Sequence, residues 1–245
     1  MPLELEVISF DLLSCQLAQQ HGADRIELCA NPHEGGTTPS VGMISAARKI
    51  SYIQLFPIIR PRGGDFLYSD DEFYAMQEDI KACKEIGCDG VVIGMLNADG
   101  SIDMERSAVL KQLAGSMQVT FHRAFDRVND PFVALEHIIK LGCHRILTSG
   151  LKPTAIEGAE LLKKLVEQAA DRIIIMPGSG IRSENIESLA SMTGAKAFHS
   201  SARHQLNSAM MFINQEMNER LEQVSLDGKE VLAIRKNLDH YSSNK

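Results

Sequence analysis

Four side chains stand at or near the ends of short apolar runs, and their types suit acid–base and anion chemistry. Glu27 lies in Arg25-Ile-Glu-Leu-Cys29, Arg60 closes the run 54–60, and His122, followed by Arg123, closes the run 118–122. A carboxyl and an imidazole can pass a proton between them, and guanidinium groups offer paired donors to a carboxylate or phosphate. Glu6, near the end of the run 3–9, and His199, near the end of 195–200, are further candidates. A purely structural reading stands beside each. Glu27 equally suits an internal ion pair with Arg25 or Arg60, and His199 competes with Phe198 for the inward position.

Two loops suggest an anionic ligand. Pro177-Gly-Ser-Gly-Ile181 and His199-Ser-Ser-Ala-Arg203 each follow an apolar run. Gly178, Ser179 and Gly180 would let backbone N–H groups approach an anion, and the hydroxyls of Ser200 and Ser201 would add donors. The same glycines also fit simple tight turns. A third loop, Arg60-Pro-Arg-Gly-Gly-Asp65, holds two arginines on either side of a proline, and Asn31–Pro39 is similarly polar and glycine-rich.

These residues need a scaffold that gathers strand ends at one opening. Eight apolar runs read as strands: 3–9, 25–29, 54–60, 90–94, 118–122, 145–149, 172–177 and 195–200, each separated from the next by room for a helix. Helix starts are marked by capping boxes at Ser69-Asp-Asp-Glu72 and Thr154-Ala-Ile-Glu157. A repeat of Gly-(Ala/Cys)-polar-x-apolar recurs at Gly22, Gly87, Gly142 and Gly194, where glycine closes a helix before an even-numbered strand. Eight strand–helix units of about 27 residues predict an α/β fold of the (β/α)8 TIM-barrel class. A doubly wound open sheet is the rival, but no GxGxxG follows the first strand, and no nucleotide cofactor is indicated. The whole chain, 1–245, reads as one barrel domain, with 204–245 forming a final helix and a C-terminal extension whose segment 226–238 has no assigned role. Strands two and five alternate polar with apolar: Ile26 and Leu28 oppose Glu27 and Cys29, and Val119 and Phe121 oppose Thr120 and His122. The apolar face must pack on helices, so the polar face points into the barrel. Active sites in this architecture lie at the C-terminal ends of the strands, where the candidates fall.

Composition removes other classes. With 25 Lys and Arg against 32 Asp and Glu, the net charge of −7 disfavours nucleic acid as a partner. No apolar run is long enough to span a bilayer, and Glu4 and Glu6 stand where a secretory signal would be basic, so no membrane partner is expected. Five dispersed cysteines without a CxxC pair fit the reducing cytoplasm and exclude a zinc ribbon.

The blocks Gly22–Cys29, Glu34–Pro39, Ile59–Asp70, Thr120–Asp126, Leu147–Gly150, Met176–Ile181 and His199–Arg203 together resemble the CutC family across nearly the whole chain. The resemblance implies a cytoplasmic, homo-oligomeric (β/α)8 barrel, dimer or tetramer, assigned to copper homeostasis. It makes Cys29 the metal-ligand candidate, since it resembles the family's strand-two cysteine. Relatives with a partner thiol carry it near the end of strand one, where this chain has Ile8 and Ser9. Cu(I) favours two or three sulfur ligands, so one thiol supports only weak binding through Cys29 and His122, or binding across a subunit interface. Two functions of different class therefore stand: copper(I) binding without turnover, and an isomerase- or lyase-type enzyme moving a proton on a small anionic or phosphorylated metabolite. Under the second, Glu27 and His122 exchange the proton while Arg60 and Arg123 hold the anion. No lysine ends a strand, so a Schiff-base aldolase is disfavoured.

Overall fold

The computed structural model describes residues 2–244. Eight parallel strands alternate with helices: β1 Glu4–Ser9, α1 Leu12–Gln20, β2 Arg25–Leu28, α2 Val41–Ile50, β3 Gln54–Pro57, α3 Asp70–Ile86, β4 Gly90–Ile93, α4 Met104–Ala114, β5 Gln118–Phe121, α5 Pro131–Leu141, β6 Arg145–Thr148, α6 Ala159–Ala169, β7 Ile174–Pro177, α7 Ile186–Thr193 and β8 Ala197–Ser200. They form two parallel sheets, β3-β2-β1-β8 and β4-β5-β6-β7. A bridge between Ile58 and Val92 joins β3 to β4, and β7 lies beside β8, giving the TIM-barrel-like ring. The regular strands are shorter than the apolar runs. β3 stops at Pro57 although the run reaches Arg60; beyond it the Ile58 N–H donates to Leu28 O and the Ile59 N–H to Val92 O.

After β8 the chain departs from the expected helix plus extension. Residues Arg203–Leu206 (β9) and Gln223–Leu226 (β10) pair as an antiparallel hairpin, and the chain between them is exposed. Helix α8, Gly228–Ser243, follows and packs against α1 and α7. The segment 226–238 thus supplies the end of the hairpin and most of the helix that completes the outer ring. Its buried residues Val231, Ile234 and Leu238 recur at helical spacing, which gives it one apolar face.

Alternation along the strands sorts side chains as the sequence pattern requires. Ile26, Leu28, Val119 and Phe121 face the helices and belong to the main apolar core. Inside the barrel the lower layers are polar. The Arg25 Nε donates to Glu6 Oε2 (2.5 Å), while its Nη atoms reach Glu4 Oε2 (3.3 and 3.2 Å) and Gln54 Oε1 (2.9 Å). Arg145 Nη2 donates to Gln118 Oε1 at 2.8 Å. The Phe56 ring is flanked by both guanidinium groups, with Arg25 5.1 Å and Arg145 5.3 Å from its centroid, and these cation–π contacts let two like charges share the interior. The mutual repulsion still registers: burial, then the charge of Arg25, lowers the Arg145 pKa to about 10.

Two glycines of β4 and its end make room for this interior. A Cβ on Gly90 would lie 2.4 Å from the Phe56 ring and 2.6 Å from the Gln118 carbonyl, and one on Gly94 would lie 2.4 Å from the His122 ring. Gly90→Ala is therefore expected to lower stability by about 1–3 kcal/mol through overpacking against backbone that cannot yield. Gly42→Ala, whose new methyl meets only Ser40 Oγ at 3.9 Å, should be neutral or slightly stabilising. Urea midpoints of the two variants check this, and equal midpoints would remove the packing argument.

Candidate functional site

The site is built on β1, β2 and β8, whose register sets Glu6 opposite both Arg25 and His199, and Ile8 opposite Glu27. Glu6 is wholly buried and bonded at both oxygens: Oε2 to Arg25 Nε at 2.5 Å and Oε1 to His199 Nδ1 at 2.8 Å. Burial alone would raise its pKa, but the Arg25 charge and the His199 hydrogen bond outweigh it and hold the carboxyl down at about 2. His199 turns its other nitrogen, Nε2, toward Glu27 Oε2 at 3.7 Å. Burial opposes protonation of this imidazole, yet the bond to Glu6 and the charge of Glu27 raise its pKa. Glu27 has no guanidinium bonded to it. Burial therefore wins and lifts its pKa to about 7, against the pull of His199.

Above Glu27 and His199 lies a cavity of about 90 Å³ at the C-terminal end of the strands, lined in part by those two residues with Arg60, Phe66, His122 and Arg123. The charged candidates read from strand ends therefore share one opening, and His199 joins them as a full member. Glu6 sits one layer beneath.

The detailed geometry reassigns several of them. His122 Nδ1 accepts the Ala124 N–H at 3.1 Å, which places the ring proton on Nε2. That Nε2 is buried and has no hydrogen-bond partner among the described residues. Burial, reinforced by Arg60, lowers the His122 pKa to about 3, so the ring is a neutral donor facing the cavity. The imidazole beside Glu27 is His199 and not His122. A ligand role for His122 Nε2 toward copper would also require its proton to leave or its turn to open.

Arg60 does not present a free fork. Its Nη1 donates to the carbonyls of Glu34 (2.6 Å) and Gly36 (2.9 Å), its Nη2 to Gly64 O (2.9 Å), and its guanidinium stacks 5.0 Å from the Phe66 centroid. It fastens the loops after β2 and β3 over the mouth. Arg62 is bound to Glu72 and Asp65. Arg123, with 43% of its side chain exposed, donates to Asp126 Oδ2 (2.7 Å) and Ser149 Oγ (2.8 Å).

Asp126 is a hub that the sequence reading carried only inside a motif. It accepts from Thr148 Oγ1 at 2.5 Å and from the Ser149 and Leu151 N–H groups at 3.0 and 3.2 Å, besides Arg123. The signal was its place in Thr120–Asp126, three residues after Arg123.

Beyond His199, the expected anion loops do not line this cavity, although Gly178 abuts two residues that do, Leu147 and His199. Gly178 N–H donates to Thr148 O at 3.0 Å, Ser179 Oγ to Pro153 O at 2.7 Å, and Ser200 Oγ to Ile181 O at 2.8 Å. Gly178 is required because a Cβ there would lie 2.4 Å from Leu147 Cδ1. Ser179 and Gly180 both take left-handed conformations in a tight turn. Neither they nor Ser201 line the pocket around Glu27.

Cys29 occupies the next inward position on β2 after Glu27, packed with Phe56, Ile58 and Val92. Its Sγ lies 3.1 Å from where a Cβ on Gly36 would stand, so that glycine lets the loop close over the thiol. Burial, then the charges of Glu27 and Glu6, push its pKa well up. Cys29 thus offers one thiol beside, and not within, the cluster of oxygen and nitrogen donors at the mouth. Donor atoms of Glu6, Glu27 and His199 lie within 4.8 Å of one another. The remaining cysteines are on the outer wall, in α1 and α3 or in the turns before β4 and β6.

Comparison with known proteins agrees with this architecture. A protein of Chromobacterium violaceum named as a CutC family member is 53% identical over 208 residues, spanning 85% of this chain and 84% of its own. The copper homeostasis protein cutC homolog of Homo sapiens is 48% identical over 210 residues, 86% of this chain and 77% of that one. The crystal structure of a CutC protein from Streptococcus agalactiae superposes with a TM-score of 0.78 at 34% identity, covering 81% of this chain and 98% of that chain. A phosphoribosylanthranilate isomerase of Thermotoga maritima, at 12% identity and a TM-score of 0.61 over 97% of this chain and 99% of its own, shares the fold alone. The CutC family profile matches residues 3–204, and the chain belongs to that family.

Proposed function

We propose that this protein handles copper in the cytoplasm, taking one ion as cargo in the barrel mouth, with Cys29 as the sulfur ligand and Glu27 and His199 beside it. Family membership supports the reading, and the human relative carries copper homeostasis in its name. The observation that carries it is the donor cluster: oxygen and nitrogen atoms of Glu6, Glu27 and His199 within 4.8 Å of one another, on the same interior face as Cys29. Glu6 is already bonded at both oxygens and acts by orienting His199 through Nδ1, which leaves Nε2 directed inward. A single thiolate with carboxylate and imidazole neighbours holds Cu(I) less tightly than a set of thiolates would. That suits an ion that is passed on. Binding must displace protons from Cys29 and Glu27, so affinity rises with pH.

Cys29→Ser is expected to lower copper affinity by about tenfold or more, measured by competition with a chromogenic chelator under reducing conditions. Unchanged affinity would remove this reading.

A second reading is favoured by one specific arrangement. Glu27 Oε2 and His199 Nε2 lie 3.7 Å apart and face a cavity that His122 and Arg123 also line. Such a pair can move a proton on a small anion, as in an isomerase or lyase, with the His122 Nε2–H as a neutral donor to developing negative charge. Here the pair's proton inventory is the accessible test. Glu27 holds its proton in the folded state up to about pH 7, whereas the unfolded carboxyl ionises near its ordinary value of 4.5. The resulting stabilisation is present below that lower value and is lost as pH rises through about 7. His199, with its raised pKa, changes stability in the same direction. Urea unfolding of the wild type should therefore show stability falling between pH 5 and pH 8. Glu27→Gln should flatten that slope. Identical slopes would mean that Glu27 does not hold the proton on which this chemistry depends.

A further inference from the structure

A second thiol feature lies outside the mouth, in the sequence Cys83-Lys-Glu-Ile-Gly-Cys88. Helix α3 ends there in a defined closure: Gly87 takes φ +83°, its N–H donates to Lys84 O at 3.1 Å, and the Cys88 N–H donates to Cys83 O at 3.0 Å. This pair of bonds is the Schellman arrangement, which brings the residue after the glycine against the residue five positions earlier. Related closures recur in the repeat, with different side chains at the two positions. After α1 they are Ala18 and Ala23 (3.0 Å, N to O), after α5 they are Ile138 and Cys143 (3.4 Å), and α7 sets Ala190 and Ala195 on either side of Gly194. At α3 both positions are cysteine, so the same closure places two thiols at the positions it brings together.

We propose that Cys83 and Cys88 form a reversible disulfide, a modification site on the outer wall of the barrel that reacts with small-molecule disulfides such as oxidised glutathione. The 3.0 Å bond from the Cys88 N–H to Cys83 O holds the two backbones in the close approach that a disulfide needs. Cys83 is fully buried and Cys88 retains 7% exposure, which makes Cys88 the attacking thiol and Cys83 the resolving one. The local charges agree: the hydrogen bond from Cys83, helped by Arg48, lowers the Cys88 pKa, while the same hydrogen bond and burial raise that of Cys83. A soft metal ion would need both thiols deprotonated in a wall where Asp79 stands near Cys83 and Asp89 near Cys88. The disulfide is neutral and avoids that burial of charge.

The reaction balances as two exchanges. The Cys88 thiolate attacks one sulfur of oxidised glutathione, forming a mixed disulfide and releasing one glutathione. Cys83 then gives up its proton and attacks the Cys88 sulfur, releasing the second. Two protein thiols are oxidised by two electrons, one glutathione disulfide is reduced to two thiols, and the protons leave on those thiols.

The test uses the full chain, folded, incubated with oxidised or reduced glutathione, then quenched in acid, unfolded and alkylated. The alkylatable thiols should fall from five to three only in the oxidised sample, the other three being Cys15, Cys29 and Cys143. Trypsin cuts after Lys84 and separates Cys83 from Cys88, so fragments 82–84 and 85–106 should travel together until reductant is added. Cys83→Ser should stop at a stable glutathione adduct on Cys88, and Cys88→Ser should keep its four thiols. A wild-type adduct on Cys88 that never resolves would overturn the proposal. So would five unmodified thiols in the folded wild type, or prior reaction at Cys15, Cys29 or Cys143.

Discussion

The interior of this barrel is organised by one buried carboxylate. Glu6 has no contact with solvent, and its charge is tolerated only because Arg25 and His199 each bond one of its oxygens. That arrangement fixes the rest. It fixes the His199 ring through Nδ1, it directs Nε2 at Glu27, and it engages Arg25 so that Glu27 has no guanidinium of its own. Two carboxyl groups on adjacent strands thus end with opposite tendencies, one held ionised and the other inclined to keep a proton. The difference comes from partners rather than from depth, since both are buried.

Much of this was legible in the residues, and the reasons are local. Alternation in Arg25–Cys29 and Gln118–His122 is a period-two signal that assigns faces directly, so the inward placement of Glu27, Cys29, Thr120 and His122 required no tertiary information. The glycine closures at Gly22, Gly87, Gly142 and Gly194 mark helix ends because few other residues accept the left-handed conformation. The order of strands and helices then follows from counting.

What could not be read depends on side chains meeting across strands. His199 has an apolar neighbour, Phe198, and nothing local says which of the two turns inward. The parallel register of β8 with β1 decides it by setting His199 opposite Glu6. Arg60 looks like an anion fork in the sequence, but its bonds go to carbonyls of Glu34, Gly36 and Gly64, which belong to loops whose conformation no pattern announces. The glycine–serine loops after β7 and β8 follow the spacing of an anion cradle. Of their groups, the Gly178 N–H and the Ser179 and Ser200 hydroxyls are bonded to neighbouring carbonyls, contacts that spacing alone does not announce. The hairpin before α8 was missed for another reason: its strands are four residues each, and β9 is exposed throughout, so neither carries a buried apolar pattern.

The loop fastening by Arg60 has a consequence for entry to the mouth. The segments holding Glu34, Gly36 and Gly64 share one cation as their common hinge pin, and that cation is rooted at the end of a barrel strand rather than in either loop. The two loops over the chamber are thereby tied to each other through a single side chain, so neither is anchored independently of the other.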